Sequence, residues 1–255
     1  MFSYRKRFLR IAQLWFEDPP PTRGVDVAVF NQATCPWPGI KWAEKMTIIL
    51  DLKKSEETLL GEMKKADRAK IRNALHKESI FCDIIELPDY ATRRKFYDFY
   101  DEFATTKNLP TLDRILMEAM AGQGALVLSF AQEGPGGLAP NPLVLHATYV
   151  HGARVRALYS CSSRLQEEDP ERRTLIGQAN RRLHWQDICW FKARGAEIYD
   201  FGGWYSGTED AQRLAINRFK ECYGGQRVTE YEAMVGVSLL GKSAVAVRRL
   251  LKGGG

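Results

Sequence analysis

Residues 196–225 read Ala196-Glu-Ile-Tyr-Asp-Phe-Gly-Gly-Trp204, then Tyr205-Ser-Gly-Thr-Glu-Asp-Ala-Gln-Arg-Leu-Ala-Ile-Asn-Arg-Phe-Lys220, then Glu221-Cys-Tyr-Gly-Gly225. This stretch decides the fold. Ala196–Phe201 has the length and β-branched or aromatic content of a short buried strand. It runs into the tandem glycines Gly202 and Gly203, where the backbone can take φ > 0 and a ligand can approach closely. Ser206-Gly-Thr-Glu209 reads as a capping box opening a helix over about 208–223. Ala211, Leu214, Ala215, Phe219 and Cys222 recur at helical spacing as its apolar face, with Lys220 off that face beside Ile216 and Tyr223. A cation thus stands beside a strand end, where α/β proteins hold their ligands.

Outward from this unit, strands and helices alternate. Strands are expected over about 25–31, 46–52, 80–87, 125–132, 143–150, 154–161 and 226–235. Helices are expected over 55–77, 88–106, 112–121, 175–194 and 238–251. Met1–Asp18 is basic and aromatic with an ambiguous period, and Asp18-Pro-Pro-Pro-Thr22 breaks regular structure. The expected class is α/β with a mixed sheet: parallel strands flanking crossover helices and an antiparallel meander in the middle. The division reads as an N-terminal arm, 1–45, and one domain, 46–255.

The composition is that of a globular chain, 45% hydrophobic and 27% charged. No apolar run is long enough to cross a membrane as a helix, and no signal peptide is read. Five cysteines at irregular spacing support neither a disulfide framework nor a zinc site, so no metal is expected and a reducing cytoplasm is the simplest home. A net charge of +6 favours an anionic partner: nucleic acid, a phosphorylated cofactor or a membrane surface. The Gly253–Gly255 tail reads as a frayed end.

Three further features could carry chemistry. Thr174-Leu-Ile-Gly177-Gln-Ala179 lies where a strand should pass into a long helix, and a helix start with a glycine turn suits phosphate, with Arg172 and Arg173 adding charge. It resembles the pyrophosphate loop of the GNAT acyltransferases, Arg/Gln-x-x-Gly-x-Gly/Ala, in Gly177 and Ala179 and departs from it at Thr174. Asn180, His184 and Asp187 share one face of that helix, and His184 is a candidate general base, though a helical histidine can equally be a structural hydrogen bonder. The helix carrying Lys64, Lys65, Arg68, Lys70 and Arg72 could track a phosphate backbone or simply be a solvated basic face.

Tyr199-Asp-Phe-Gly-Gly203, Phe219-Lys220 and Gly224-Gly225 together resemble the C-terminal signature of the Fem-type (FemA/FemB-like) peptidyl aminoacyltransferases and their GNAT-like relatives. Leu50-Asp-Leu-Lys-Lys-Ser55 with Arg68-x-x-Ile71-Arg72-x-Ala74 resembles the start of the same domain. Ala179-Asn180, Leu183-His184-Trp185 and Phe191-Lys192-x-x-Gly195 fit between them, so the likeness covers about residues 46–235. It implies a GNAT-like fold, a splayed sheet whose parting strands admit the acyl donor. It also implies transfer of an aminoacyl group from aminoacyl-tRNA to an amine, with no tightly bound cofactor. By resemblance Lys220 stands at the reacting centre, as the cation at the developing oxyanion or as a contact to the donor's terminal phosphate. Asp200 could orient the amine or merely pair with a cation, and Tyr199, Gly202, Gly203, Trp204, Phe219 and Asn180 are the candidates around the donor. Known members usually hold two such domains, which leaves the acceptor open between a peptidoglycan precursor and a small-molecule amine. Two other readings stand beside this one: an acyl-CoA-dependent N-acyltransferase, favoured by Gly177 and Ala179, and a non-catalytic RNA-binding protein, favoured by basicity alone.

Overall fold

The computed structural model describes residues 1–16 and 24–252, with the side chain of residue 252 excepted. The Pro-rich breaker after residue 17 and the glycine tail lie outside them. Among the described residues ten strands form one sheet: β1 (Phe2–Lys6), β2 (Leu9–Trp15), β3 (Val27–Ala33), β4 (Ala43–Asp51), β5 (Ile80–Ile85), β6 (Leu126–Glu133), β7 (Val144–His151), β8 (Arg154–Ser162), β9 (Ile198–Trp204) and β10 (Gln226–Gly236). The helices are α1 (Glu56–Glu62), α2 (Lys65–Leu75), α3 (Tyr90–Thr106), α4 (Arg114–Gly122), α5 (Pro170–Ala193), α6 (Ala211–Glu221) and α7 (Leu239–Lys252). The strand order is β1-β2-β3-β10-β4-β9-β8-β7-β6-β5. The expected α/β class with a mixed sheet stands. Parallel pairing is confined to β2–β3 and β8–β9; the described pairings between all other neighbours are antiparallel.

The described residues of the segment 1–45, read as an arm, form β1–β3 and the start of β4 within this sheet. The ambiguous first segment is a hairpin whose tip, Arg7, takes φ 56°. The helix expected over 55–77 is two helices. α1 starts at Ser55, whose hydroxyl accepts from the Thr58 N–H, and ends at Met63, whose extended backbone (ψ 147°) breaks it from α2.

The sheet's two faces are sorted by the period of two. On β6, Leu126, Leu128 and Phe130 enter one core with Phe96, Tyr97 and Tyr100 of α3, while Val127 enters another with Leu59 of α1, Ile71 of α2 and Trp185, Ile188 and Phe191 of α5. The second core reaches Tyr199 and Phe201 of β9, so α5 is the crossover that carries the chain from β8 to its parallel neighbour β9.

Candidate active site

β8 and β9 pair only through Arg154↔Ile198, Val155↔Tyr199 and Arg156↔Asp200. Beyond Asp200 they part: β8 continues to Ser162 with β7, and β9 continues to Trp204 with β4. This is the splay of a GNAT-like sheet. At the parting the β4–β9 register slips between Thr47 and Ile49, a bulge that accommodates Gly202 at φ 74°. A Cβ on Gly202 would lie 3.2 Å from the Ala157 carbonyl oxygen and 3.5 Å from Arg156 Nη2. Gly203 faces open space.

Lys220 reaches this point from α6. The helix is capped by Asp210, which accepts from the N–H groups of Gln212 and Arg213, rather than by the Ser206–Glu209 box. Its one buried residue is polar: Asn217 donates to the Tyr205 carbonyl at 2.7 Å and accepts from the Tyr205 N–H at 3.1 Å. The expected apolar face is therefore only part-covered, and Ala211 and Ala215 are exposed. That clamp fixes α6 over the loop, and one turn later Lys220 Nζ donates to the carbonyls of Gly202 (3.1 Å) and Gly203 (2.6 Å). Burial and the Arg156 guanidinium lower the Lys220 pKa to about 8, against the pull of Asp200. Arg156 lies over Trp15, 5.4 Å from the ring centroid, and its buried Nε has no partner. Lys220 and Arg156 thus put two cationic groups at the opening of the sheet.

Asp200 is fully buried and offers no surface to a substrate. It accepts from Thr47 Oγ1 (2.5 Å), Gln32 Nε2 (2.8 Å), the Gly202 N–H (2.7 Å) and Arg154. Arg154 also donates to Glu230, and Gln32 bridges Glu230 to Asp200. Burial pushes the Asp200 carboxyl up, but Arg156, Arg154 and the Thr47 hydroxyl together bring it below the usual range, so it stays ionised. Glu230 moves the other way, raised by burial beyond what Arg154 recovers. The role for Asp200 in orienting an amine is corrected: it ties β3, β4, β8 and β10 to the bulge beneath the tandem glycines.

His184 is fully enclosed by Phe201, Phe219 and Tyr223, with Tyr199 Oη 3.5 Å from its Nδ1. Burial, His146 and Lys220 all depress its pKa well below the ordinary value, which keeps it neutral. Tyr199 is wholly buried beside Phe191 and Phe201. The polar stripe of α5 grips a different histidine than expected. His146 of β7 pairs with Asp187 Oδ2 at 2.7 Å and with Asn180 Oδ1 at 2.9 Å, and its ring lies 4.1 Å from that of His184. Asn180 is therefore engaged below the site. Ligand-capable atoms of His146, His184 and Asp187 lie within 4.8 Å of one another, but a cation there would compete with the His146–Asp187 bond. Trp204 and Phe219 flank the opening, Trp204 under the guanidinium of Arg227 at 5.2 Å.

The expected phosphate loop is a correction. α5 begins at Pro170, so Thr174 and Gly177 are inside the helix and present no free N–H groups. At the true N-terminus Pro170 lacks an N–H, the Asp169 carboxylate accepts from Glu171 and Arg172, and the Arg172 side chain is paired with Glu133 and Glu167. Arg173 and Gly177 instead line a cavity of about 280 Å³ with Lys70, Arg164 and Arg181. A second cavity of about 450 Å³ shares the last three and adds Lys64, Arg218 and Phe219. The two form a cleft between α2, α5 and α6 that ends one residue from Lys220; Asp67 and Glu221 also line it, but its cations outnumber them. Of the basic helix, Lys64 and Lys70 face this cleft, Arg68 donates to the carbonyls of Leu60 and Gly61, and Lys65 and Arg72 are exposed. Arg164, Arg181 and Arg218 share no sequence signal because they come from three separate segments.

No protein-family model matches the chain, and no curated protein matches it by sequence. Solved structures do. FemX superposes with a TM-score of 0.59 at 14% identity, over 80% of this chain and 63% of its own. The C-terminal domain of a putative lysylphosphatidylglycerol synthetase from Agrobacterium fabrum gives 0.52 at 12% identity, over 89% and 73%. L-PGS from Bacillus licheniformis gives 0.50 at 14%, over 88% and 73%. This chain thus spans less than two thirds of FemX. At these identities the shared property is the fold, which is GNAT-like: a mixed splayed sheet flanked by helices.

Proposed function

We propose that the chain transfers an aminoacyl group from aminoacyl-tRNA to an amine, forming an amide at the parting of β8 and β9. The observation that carries this reading is the convergence of Lys220, Arg156 and the Gly202–Gly203 backbone at one point of the splay. Aminolysis of an ester needs an oriented carbonyl, a neutral amine and a cation or N–H where the oxyanion develops. Lys220, swung from its glycine carbonyls, or Arg156 supplies that cation. The amine attacks the ester carbonyl, the tetrahedral intermediate expels the ribose hydroxyl, and the amine proton leaves with it. No covalent enzyme intermediate is needed.

Donor choice rests on charge placement. The Asp169 carboxylate occupies the helix end where a pyrophosphate would sit, which disfavours acyl-CoA in the GNAT manner. The basic cleft ending at Phe219 suits the phosphates of an RNA 3′ end. The FemX likeness and the Fem-type signature point the same way.

The test is to incubate the purified protein with a mixture of charged tRNAs and with acyl-CoA, each with and without a cell extract as acceptor source. The expected result is an alkali-stable amide, formed from charged tRNA only when an amine is present. Turnover of acyl-CoA with indifference to charged tRNA overturns the donor. Binding of uncharged RNA without turnover of either donor overturns the enzyme reading.

A further inference from the structure

α7 is docked with its apolar side outward. Gly241 and Val245, one turn apart, are the helix's buried residues. A Cβ on Gly241 would lie 1.7 Å from the Asp26 carbonyl oxygen, so the helix axis sits directly on the chain ahead of β3. Ser238 fixes the helix start, donating to Asp26 Oδ1 at 2.6 Å and accepting from the Gly241 N–H at 3.1 Å. With that face held inward, a 100° step per residue sends Leu239, Val247 and Leu250 to the opposite side. They are exposed accordingly: Leu239 83%, Val247 55%, Leu250 78%, with Leu251 at 80% beside them. A surface helix of a water-facing protein does the reverse.

The charge around this stripe has one sign. Lys242, Arg248 and Arg249 are exposed, and there is no Asp or Glu from residue 237 to the C-terminus. The same edge of the molecule carries a second apolar point in a basic setting. The tip of the β1–β2 hairpin holds Phe8, 71% exposed, next to Arg7. Asp26 joins the two: its carboxylate accepts from the Arg10 N–H at 2.9 Å and from Ser238. On the hairpin side of Asp26 lies an open cavity of about 540 Å³ lined by Arg5, Phe8, Arg10 and Asp26.

We propose that this edge docks the protein on an anionic phospholipid surface. The stripe of α7 and Phe8 would enter the acyl boundary, and the arginines would meet the headgroup phosphates. The chemistry that selects a membrane over a second copy of the chain is the charge: Lys242, Arg248 and Arg249 are exposed and α7 carries no acidic residue for a second copy's cations to pair with, whereas anionic lipid neutralises them. The proposal does not depend on the transferase reading.

The experiment is co-sedimentation of the full chain with vesicles of phosphatidylcholine alone and of phosphatidylcholine with phosphatidylglycerol, at low and raised salt. The native protein pellets with the anionic vesicles, less so in raised salt, and stays in solution with the neutral ones. Arg248→Gln/Arg249→Gln removes two charges at about 1 kcal/mol each near an anionic surface, so partitioning falls about 30-fold. Leu250→Glu/Leu251→Glu abolishes it. These side chains are exposed, so thermal unfolding of both variants matches the native protein. Equal pelleting with neutral and anionic vesicles, or no pelleting with either, overturns the proposal irrespective of the variants. So does a native dimer in sedimentation velocity that Leu250→Glu dissociates.

Discussion

Replacing Asp200 by asparagine will weaken the centre of the sheet, and any loss of turnover will follow from that. The carboxylate has four donors aimed at it: Thr47 Oγ1, Gln32 Nε2, the Gly202 N–H and Arg154. Asparagine keeps one acceptor oxygen but turns an NH2 toward Gln32 or Arg154, which are themselves donors. Arg154 then keeps only Glu230. Breaking one partner out of a buried ion pair costs about 3–5 kcal/mol, because the other charge stays buried. For a domain of this size each kcal/mol moves Tm by about 2–4 °C, so a drop of about 6–20 °C is expected in a thermal melt followed by circular dichroism. The effect has a pH signature. The Asp200 pKa is lowered in the folded state, so its contribution is present above the unfolded value of 3.8 and is lost as pH falls through the folded value. Native and variant melts should therefore converge in acid. A variant that melts with the native protein at neutral pH yet fails to turn over would refute this reasoning and return Asp200 to the substrate.

Other predictions test the parting of the strands and the cleft. Gly202→Ala should destabilise by about 2 kcal/mol, from its left-handed φ and the contact with the Ala157 carbonyl, whereas Gly203→Ala, facing open space, should stay within about 0.5 kcal/mol in urea unfolding. Lys220→Met should lower turnover about 10²–10³-fold if its ammonium meets the oxyanion. The charged form is the active one on this account, so turnover should fall as pH rises through about 8, and Lys220→Arg should shift that falling limb upward. Arg181→Glu and Arg218→Glu should weaken tRNA binding and reduce the salt slope by about one each in a filter-binding titration.

The strand–glycine–helix unit was readable because its signals are local: a short apolar strand, two glycines, then helical spacing that put Lys220 beside them. Gly177 resembles a turn and so hides the start of α5, whose stronger signal is Asp169 as a cap followed by Pro170. The Ser206–Glu209 box lost to Asp210 for a similar reason, since both offer a capping side chain and only packing chooses between them. The Asp200 network could not be read at all. Its partners Gln32, Thr47, Arg154 and Glu230 come from four other strands, brought together only by the sheet order. Arg154 and Arg156 did leave a trace, as two arginines at alternate positions of a strand otherwise lined by Val155, Ala157 and Leu158. One holds the buried carboxylates and the other faces the opening.

The proposed chemistry depends on where the donor's carbonyl sits. The most direct measurement is a crystal structure with a hydrolysis-resistant analogue, an amino acid joined by an amide to the ribose of a terminal adenosine. The predicted result is the amide oxygen within hydrogen-bond distance of Lys220 Nζ or Arg156, at the parting of β8 and β9. An analogue bound elsewhere, with both cations still turned to protein, would contradict it.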